Sequence, residues 1–460
     1  MTINFSAYEI GRRALNASQL GINIAGQNIA NVNTPGYSRR GVQLAESAQT
    51  SFNGFTVGTG VTVAGVQSFR DAFIQSRIQT ETGIAGTLTA RRDALAPVES
   101  ALQGSDGGGL QNALNNFFGS FRDLEANPNS VPLRTAVAQS GATLANVFQT
   151  TRSRLDDIRH GIDGQVRSAV DQVNALSQRV ADLNDQIRSA TSAGGDASSL
   201  QDQRGELVNK LSELAGVHAT NNSDGTVSLT IGEGRPIVSG DQAFTLQTNA
   251  APPLGLSTIT IDGQPAVFNE GTIAGLQTSI TDTTTQIDTL DGLAASVVQR
   301  VNDLHTSGTD LDGNAGTNFF NNTAPITAAN ISINAAITGN PRLVVASPLT
   351  QPGQSGTVAG QIANLLTDTS SSVGTHTGSF TSIFGSMLAQ AGEHVNAAEN
   401  GLMTQAAILS QATAQRDSVS GVSLDEEAIN LLQYQKSFEA ATRFIKVADE
   451  MTQMIISLGQ

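Results

Sequence analysis

The sequence predicts a mainly α fold with inserted β. It reads as an elongated, multidomain protein with a long antiparallel helical or coiled-coil shaft, paired N- and C-terminal helices and a small all-β outer domain. Three features carry this expectation. Apolar residues recur at alternating steps of four and three over long stretches, the spacing that lines one face of a helix. One central stretch alternates instead with period two. Each end carries a narrow apolar stripe among Asn, Gln and Gly, which is marginal as a helix without a partner surface.

From the N-terminus, Tyr8, Leu15, Ile22 and Ile29 fall seven apart, with Ala14, Ala17 and Gly21 beside them. This helix runs into GQNIANVNTPGYSRR (26 to 40), where Thr34-Pro35-Gly36 stops it and turns the chain. GVQLAES and GVTVAGV then alternate and can pair across the Gly/Thr-rich stretch from 48 to 60. Leu110, Leu114, Phe117, Phe121 and Leu124 make the next helical stripe. A longer one runs from Leu133 through Val137, Leu144, Leu155, Ile158, Ile162, Val173, Leu176, Val180 and Leu183 to Ile187, with no proline between. Roughly 50 residues of unbroken helix would span ~75 Å, a length that suits a rod better than a compact enzyme.

After a turn at Gly194-Gly195, Leu200, Arg204, Leu207, Leu211 and Leu214 repeat the step. Val227, Leu229 and Ile231, then Phe244 and Leu246, then Ile259 and Ile261 alternate with polar residues, punctuated by GEGRP and DGQP. The helical register returns from Leu276 through Ile287, Leu290 and Val297 to Leu304. A lesser strand-like piece lies at Ile331 to Val345. The last helix begins with a capping box, Ser423 and Glu426, and with acidic residues 425 to 427 in its first turn. Leu431, Phe438, Ile445 and Ile455 are expected on one face of it.

A length of 460 residues implies two to four domains. The division expected is a terminal helical assembly domain with a β-hairpin (1–65 plus 420–460), a long-helix shaft (66–216, 273–320 and 352–419), the outer β domain (217–272) and a small β/loop piece (321–351). Aromatics are only 4% of the chain, so the cores are expected to be thin and built from Leu, Ile, Val and Ala rather than rings.

The net charge of −15 repels phosphate backbones and argues against nucleic-acid binding. The arginine pairs at 12–13, 39–40 and 91–92 are scattered and read as surface or salt-bridge residues. Absence of cysteine excludes disulfides and thiolate chemistry, and no apolar run reaches the ~20 residues of a membrane helix. No signal peptide is legible at the start. The five histidines show no metal-ligand spacing; His160 and His394 read as ordinary helix-face residues. DLDGN at 310–314 resembles the start of a calcium loop, but Ala315 stands where glycine is needed and Asn321 where a bidentate Glu belongs, so a turn is expected. GSDGGG at 104–109 lacks the Lys-Ser/Thr of a phosphate loop, and no serine lies in a GxSxG elbow. Neither a catalytic site nor a cofactor or metal is expected.

LNASQLGINIAGQNIANVNTPGYSRR resembles the N-terminal signature of the axial proteins of the bacterial flagellum, the rod, hook and hook-associated family. It carries Asn28, Ile29, Ala30, Asn31, Asn33, Thr34, Pro35, Gly36 and Tyr37 in order. VGTGVTVAGVQSFRDAFIQSRIQTE, VNDLHTSGTDLDGNAGTNFF and SGVSLDEEAINLLQYQKSFEAATRFI resemble stretches of the members at the hook-filament junction. The resemblance thus touches both ends and the middle.

It implies a structural protein that polymerises through its terminal helices and is exported to the flagellum without a cleaved signal peptide. The implied partners are copies of itself in a ring, the hook protein, a second junction protein on the filament side and an export chaperone. Assembly contacts are expected at Leu15, Ile22, Asn28, Ile29, Asn31, Asn33, Pro35, Gly36, Tyr37, Leu431, Phe438, Ile445 and Ile455, with the asparagines as lateral hydrogen-bonding groups. Chaperone contacts are expected at Leu424, Leu432 and Phe438. A hook or distal-rod protein, a flagellin-like protein and a secreted coiled-coil adhesin are the alternatives. The shaft helix, the Asn/Pro-Gly phrase and the matched termini, respectively, speak against them.

Overall fold

The computed structural model describes residues 2–52, 55–104 and 109–458. Ten α-helices occur among them: α1 (Thr2–Ala30), α2 (Ala72–Gln103), α3 (Leu110–Ala126), α4 (Val131–Ser192), α5 (Ser198–Ala215), α6 (Thr272–Thr306), α7 (Ala335–Gly339), α8 (Thr357–Asn364), α9 (Phe380–Ser420) and α10 (Leu424–Leu458). The accessible surface is 22587 Å² for 47.6 kDa. A compact monomer of that mass would expose about 16,000 Å², so the molecule is extended.

The shaft is organised by α4. Its 62 residues, about 90 Å of helix, exceed the length read from periodicity. Ser130 caps it by accepting the Leu133 N–H, and Pro132 sits in its first turn, where a missing N–H costs nothing. Helices α3, α5 and α6 pack along it, as the heptad spacing of each predicts. Helices α2 and α9 pair with each other without such a stripe. Small residues of α9 line that seam: a Cβ on Gly392 would lie 3.4 Å from the Glu99 carboxylate, and one on Gly401 would lie 3.1 Å from Leu88.

Two antiparallel meanders fill the expected β region. One orders strands 218–221, 227–231, 235–239 and 242–243; the other has 256–261 between 246–251 and 264–265. Val227, Leu229 and Ile231 are buried and alternate with half-buried Ser228 and Thr230. Their buried face shares one core with Val166, Val173 and Val180 of α4 and Leu207 and Leu211 of α5. Two asparagines of α4, buried Asn184 and half-buried Asn174, extend the ladders. Asn184 Nδ2 donates to the carbonyls of Val227 and Gly240, at 2.8 and 2.6 Å, and Asn174 brackets both backbone groups of Leu246. The β region therefore lies along the shaft on a common core.

Two expectations are corrected. Rings do build a core: Phe117 touches Phe118, Phe121, Phe319 and Phe320 at centroid distances of 5.0 to 5.6 Å, and all are buried. Composition averaged over the whole chain hides such a concentration. The stretch 331–345 is not strand-like but holds α7 and a 3₁₀ turn at Pro341–Leu343. Asn334 caps α7, and Ile337 from that short helix joins Ile331, Val344 and Val345 from irregular backbone in reaching the phenylalanine core, so their spacing carried no period. The run 104–109 has its middle residues, 105–108, outside the described residues.

A terminal unit projects from this shaft. It contains α1, α10 and the hairpin pairing Arg40–Glu46 with Val61–Ser68, in register from Arg40↔Ser68 to Glu46↔Val61 with a bulge at Gln43/Leu44.

Candidate assembly surface and its joint to the shaft

The seam between α1 and α10 is made close by glycine. A Cβ on Gly11 would fall 2.4 Å from Ile445 Cγ1, and one on Gly21 would fall 2.5 Å from Tyr434 Cδ1. The helices run antiparallel, with Ala17, Ile24 and Ala25 of α1 and Ala441 and Ala448 of α10 buried between them. Leu15, Ile22, Ile29, Leu431 and Ile445, expected on contact faces, are half-buried along this seam. Part of the expected assembly stripe is therefore spent within the chain. Phe438 and Ile455 are exposed instead. Ile455 lies ten residues beyond Ile445, which at 100° per residue turns it about 80° away from the seam.

The outward side of α10 is apolar. Ile429 is 64% exposed, Val447 53%, Met451 55% and Met454 64%, and Leu432 is also exposed. Among the described residues nothing covers them. The outward side of α1 is amide-rich, with Asn16, Gln19, Asn23 and Gln27 exposed.

Where α1 ends, Asn28 is completely buried. Its Nδ2 donates to the Arg40 carbonyl at 2.8 Å, and its Oδ1 accepts from Tyr37 Oη at 2.7 Å and from the Arg40 N–H at 3.1 Å. One side chain thus ties the helix end to the first residue of the hairpin. Asn31 donates back to the Gln27 carbonyl and accepts from Thr34 Oγ1. Of the three asparagines expected as lateral hydrogen-bonding groups, two are consumed inside the chain; Asn33 is exposed, as is Pro35. Gly36 has φ +76°, a left-handed conformation that favours glycine, and the Glu206 side chain packs against it. Burial pushes the Tyr37 phenol above its usual range.

The arginines after Tyr37 belong to an ion-pair network. Arg39 reaches Glu427 and Glu426 at 2.9 Å each, and its guanidinium lies 5.4 Å from the Phe69 ring centroid. Arg40 pairs with Asp202 of α5 at 2.8 Å, and Arg70 takes the other oxygen of Asp202 at 2.8 Å. The capping box at α10 is half formed. The Glu426 N–H approaches Ser423 Oγ at 3.5 Å, but the Glu426 carboxylate turns to Arg39. Asp202, Glu206, Arg70 and Glu427 were missed by sequence reasoning. They lie up to 388 residues from their partners, and no local pattern marks them.

Outside this region, Asp310 accepts the N–H groups of Asp312 and Asn314, so DLDGN forms a turn. His305 is buried, donating from Nδ1 to the Thr317 carbonyl and accepting the Val345 N–H at Nε2; burial pulls its pKa down to about 4. His394 lies 3.3 Å from Asp282. No helix among the described residues is long and apolar enough to cross a membrane.

Comparison with known proteins agrees with this layout. The family model described as the flagellar hook-associated protein FlgK helical domain matches residues 95–320. The model of the flagella basal body rod protein matches 9–37, and that of the flagellar basal body rod FlgEFG protein C-terminal matches 414–458. The chain is similar to flagellar hook-associated protein 1 of Bacillus subtilis, with 27% identity over 99% of each chain. It is also similar to that of Escherichia coli, with 26% identity over 96% of this chain and 98% of the other. Identity to the Salmonella typhimurium protein is 32% over 69% of this chain and 59% of that one. The solved flagellar hook junction protein FlgK from Burkholderia pseudomallei aligns with a TM-score of 0.64 at 17% identity, covering 75% of this chain and all of that one. Near-complete alignment with the Bacillus subtilis and Escherichia coli proteins, 32% identity to the Salmonella typhimurium one, and the helical-domain and rod-type models along the chain show that it belongs to the flagellar hook-associated protein 1 family.

Proposed function

We propose that this protein is a structural component of the bacterial flagellum that forms the junction between hook and filament, polymerising through its terminal unit. The observation that carries this reading is the uncovered apolar side of α10. Five large side chains, each more than half exposed, would gain roughly 5–8 kcal/mol on burial. That matches only the lower part of the 4–15 kcal/mol cost of association, so one such contact is marginal and a ring of mutually supporting copies is favoured.

Charge is distributed to suit. Residues 1–70 carry five arginines against Glu9 and Glu46, and residues 421–460 carry three basic against six acidic side chains. The two ends cancel, so the whole net charge of −15 lies in the intervening body. Neutral terminal units can pack together while the bodies repel one another outward.

The partners in this reading are further copies in a ring, the hook protein, a second junction protein and an export chaperone. The chaperone would bind α10 before assembly, where Leu424, Leu432 and Phe438 are exposed. The mature protein would be extracellular, and its work would be assembly rather than turnover. The terminal unit would be the inner domain, and the shaft with its β region the outer one.

The test is a chromosomal Ile429→Asp/Val447→Asp variant, with immunogold labelling of intact flagella. The variant should fold as the parent does, yet give hooks without filaments. Parent protein should label one band at the hook's end. Label along the whole hook or filament, or normal filaments from the variant, would refute the proposal.

A further inference from the structure

Little apolar packing joins the terminal unit to the shaft: among the described residues, none of the three clusters of buried apolar side chains holds a residue before Ile74 or after Ala412. Two chain crossings connect them, 69–71 between the hairpin and α2, and 421–423 between α9 and α10. Open polar clefts lie on both sides of the loop that follows α1. One of about 880 Å³ separates it from Arg179 and Gln186 of α4 and Gln203 of α5, and one of about 590 Å³ separates it from the α9–α10 turn. Neither offers packing that would resist rotation.

What bridges the gap is polar and centres on one carboxylate. Asp202 Oδ2 accepts from Arg40, the first residue of the hairpin, and Oδ1 accepts from Arg70, at the crossing into α2. Asp202 and Arg40 are nearly buried, with side chains 11% and 9% exposed. Arg40 Nε is buried without a partner, so its pairing with Asp202 is the main bond its guanidinium makes. Arg70 also donates to the Gln201 carbonyl and approaches Ser38 Oγ, which gathers the loop, the crossing and α5 around the same point. A buried pair whose partner is removed leaves an uncompensated charge, which is relieved by moving into water. Here the adjacent clefts provide that water and the two crossings permit the movement.

We infer that Asp202 is the positioning residue that sets the angle between the terminal unit and the shaft, and that without its charge the unit pivots on residues 69–71 and 421–423. The lock acts within one chain, so this inference stands whether or not the chain polymerises at a hook. It determines in which direction the outward side of α10 is presented.

The chain has no cysteine, so two introduced thiols can be spin-labelled uniquely. Ala64→Cys on the hairpin and Ser168→Cys on α4 are both at exposed positions, one in each body. Double electron–electron resonance on the full-length protein should give one narrow distance distribution. Asp202→Asn should broaden and shift it, and Asp202→Glu should restore it. The circular-dichroism melt of the shaft should stay near that of the parent, a result that general unfolding would not give. Arg40→Gln, which leaves Asp202 paired with Arg70, supplies a second variant that should broaden the distribution if Asp202→Asn weakens the fold. A parent distribution as broad as the variants', or variants as narrow as the parent, would overturn the inference.

Discussion

Replacing Asn28 with alanine separates a bond within the chain from a bond between copies. Three hydrogen bonds of 2.7 to 3.1 Å end on this completely buried side chain, and the partners are the Arg40 N–H, the Arg40 carbonyl and the Tyr37 hydroxyl. Alanine removes all three at once and leaves the Arg40 groups without a partner. At about 1 kcal/mol per net hydrogen bond the loss is about 3 kcal/mol, equivalent to roughly 100-fold in the local opening equilibrium. The assay is hydrogen exchange of the Arg40 amide in dilute, unassembled protein, followed by NMR or by mass spectrometry of a peptide spanning 38–46. Exchange should accelerate by about that factor, while amides of the phenylalanine core around Phe117 keep their protection. If Arg40 stays protected in the variant and only self-association is lost, Asn28 works between copies and the reasoning fails.

Gly21→Leu should destabilise the α1–α10 pair by about 1–3 kcal/mol through overpacking against Tyr434, whereas Gly26→Ala, with nothing within 4 Å, should stabilise α1 by about 1 kcal/mol. Exchange protection within α10 reads both. Neutral His305 is held by burial at a pKa of about 4 against 6.5 in the unfolded chain. Its contribution is complete above pH 6.5 and is lost as pH falls, about 2 kcal/mol by pH 5 and about 3 kcal/mol by pH 4. Urea titrations across that range should show the decline, and His305→Gln should flatten it. Phe117→Ala, at the centre of four ring contacts, should cost about 3–5 kcal/mol of shaft stability in the same titration, with the α1–α10 seam unaffected.

The shaft was the most legible part of the molecule, because α3, α4, α5 and α6 each bury a stripe whose period is set by the helix itself. Helices α2 and α9 were silent by the same logic: α9 meets α2 through Gly392, Gly401 and Ala412, and a face of small residues has little hydrophobic contrast with its surroundings. The β region was legible from alternation at Val227–Ile231, Leu246 and Ile259–Ile261, whereas the strands 218–221 and 235–239 carried none. Their common core with α4 was not, since alternation marks a buried face without naming what buries it.

The amino-acid sequence by itself determined that both ends are helical, that the chain turns at Thr34-Pro35-Gly36, and that it belongs among flagellar axial proteins, because these rest on local backbone preference and on an ordered motif. Only the tertiary structure decided what the motif's side chains do. Asn28 closes the end of α1 on Arg40, Leu431 and Ile445 turn into the seam, and Asp202 gathers arginines from 162 and 132 residues away. Buried polar groups and opposite charges find their partners in space, and separation along the chain leaves no trace of that pairing in the order of residues.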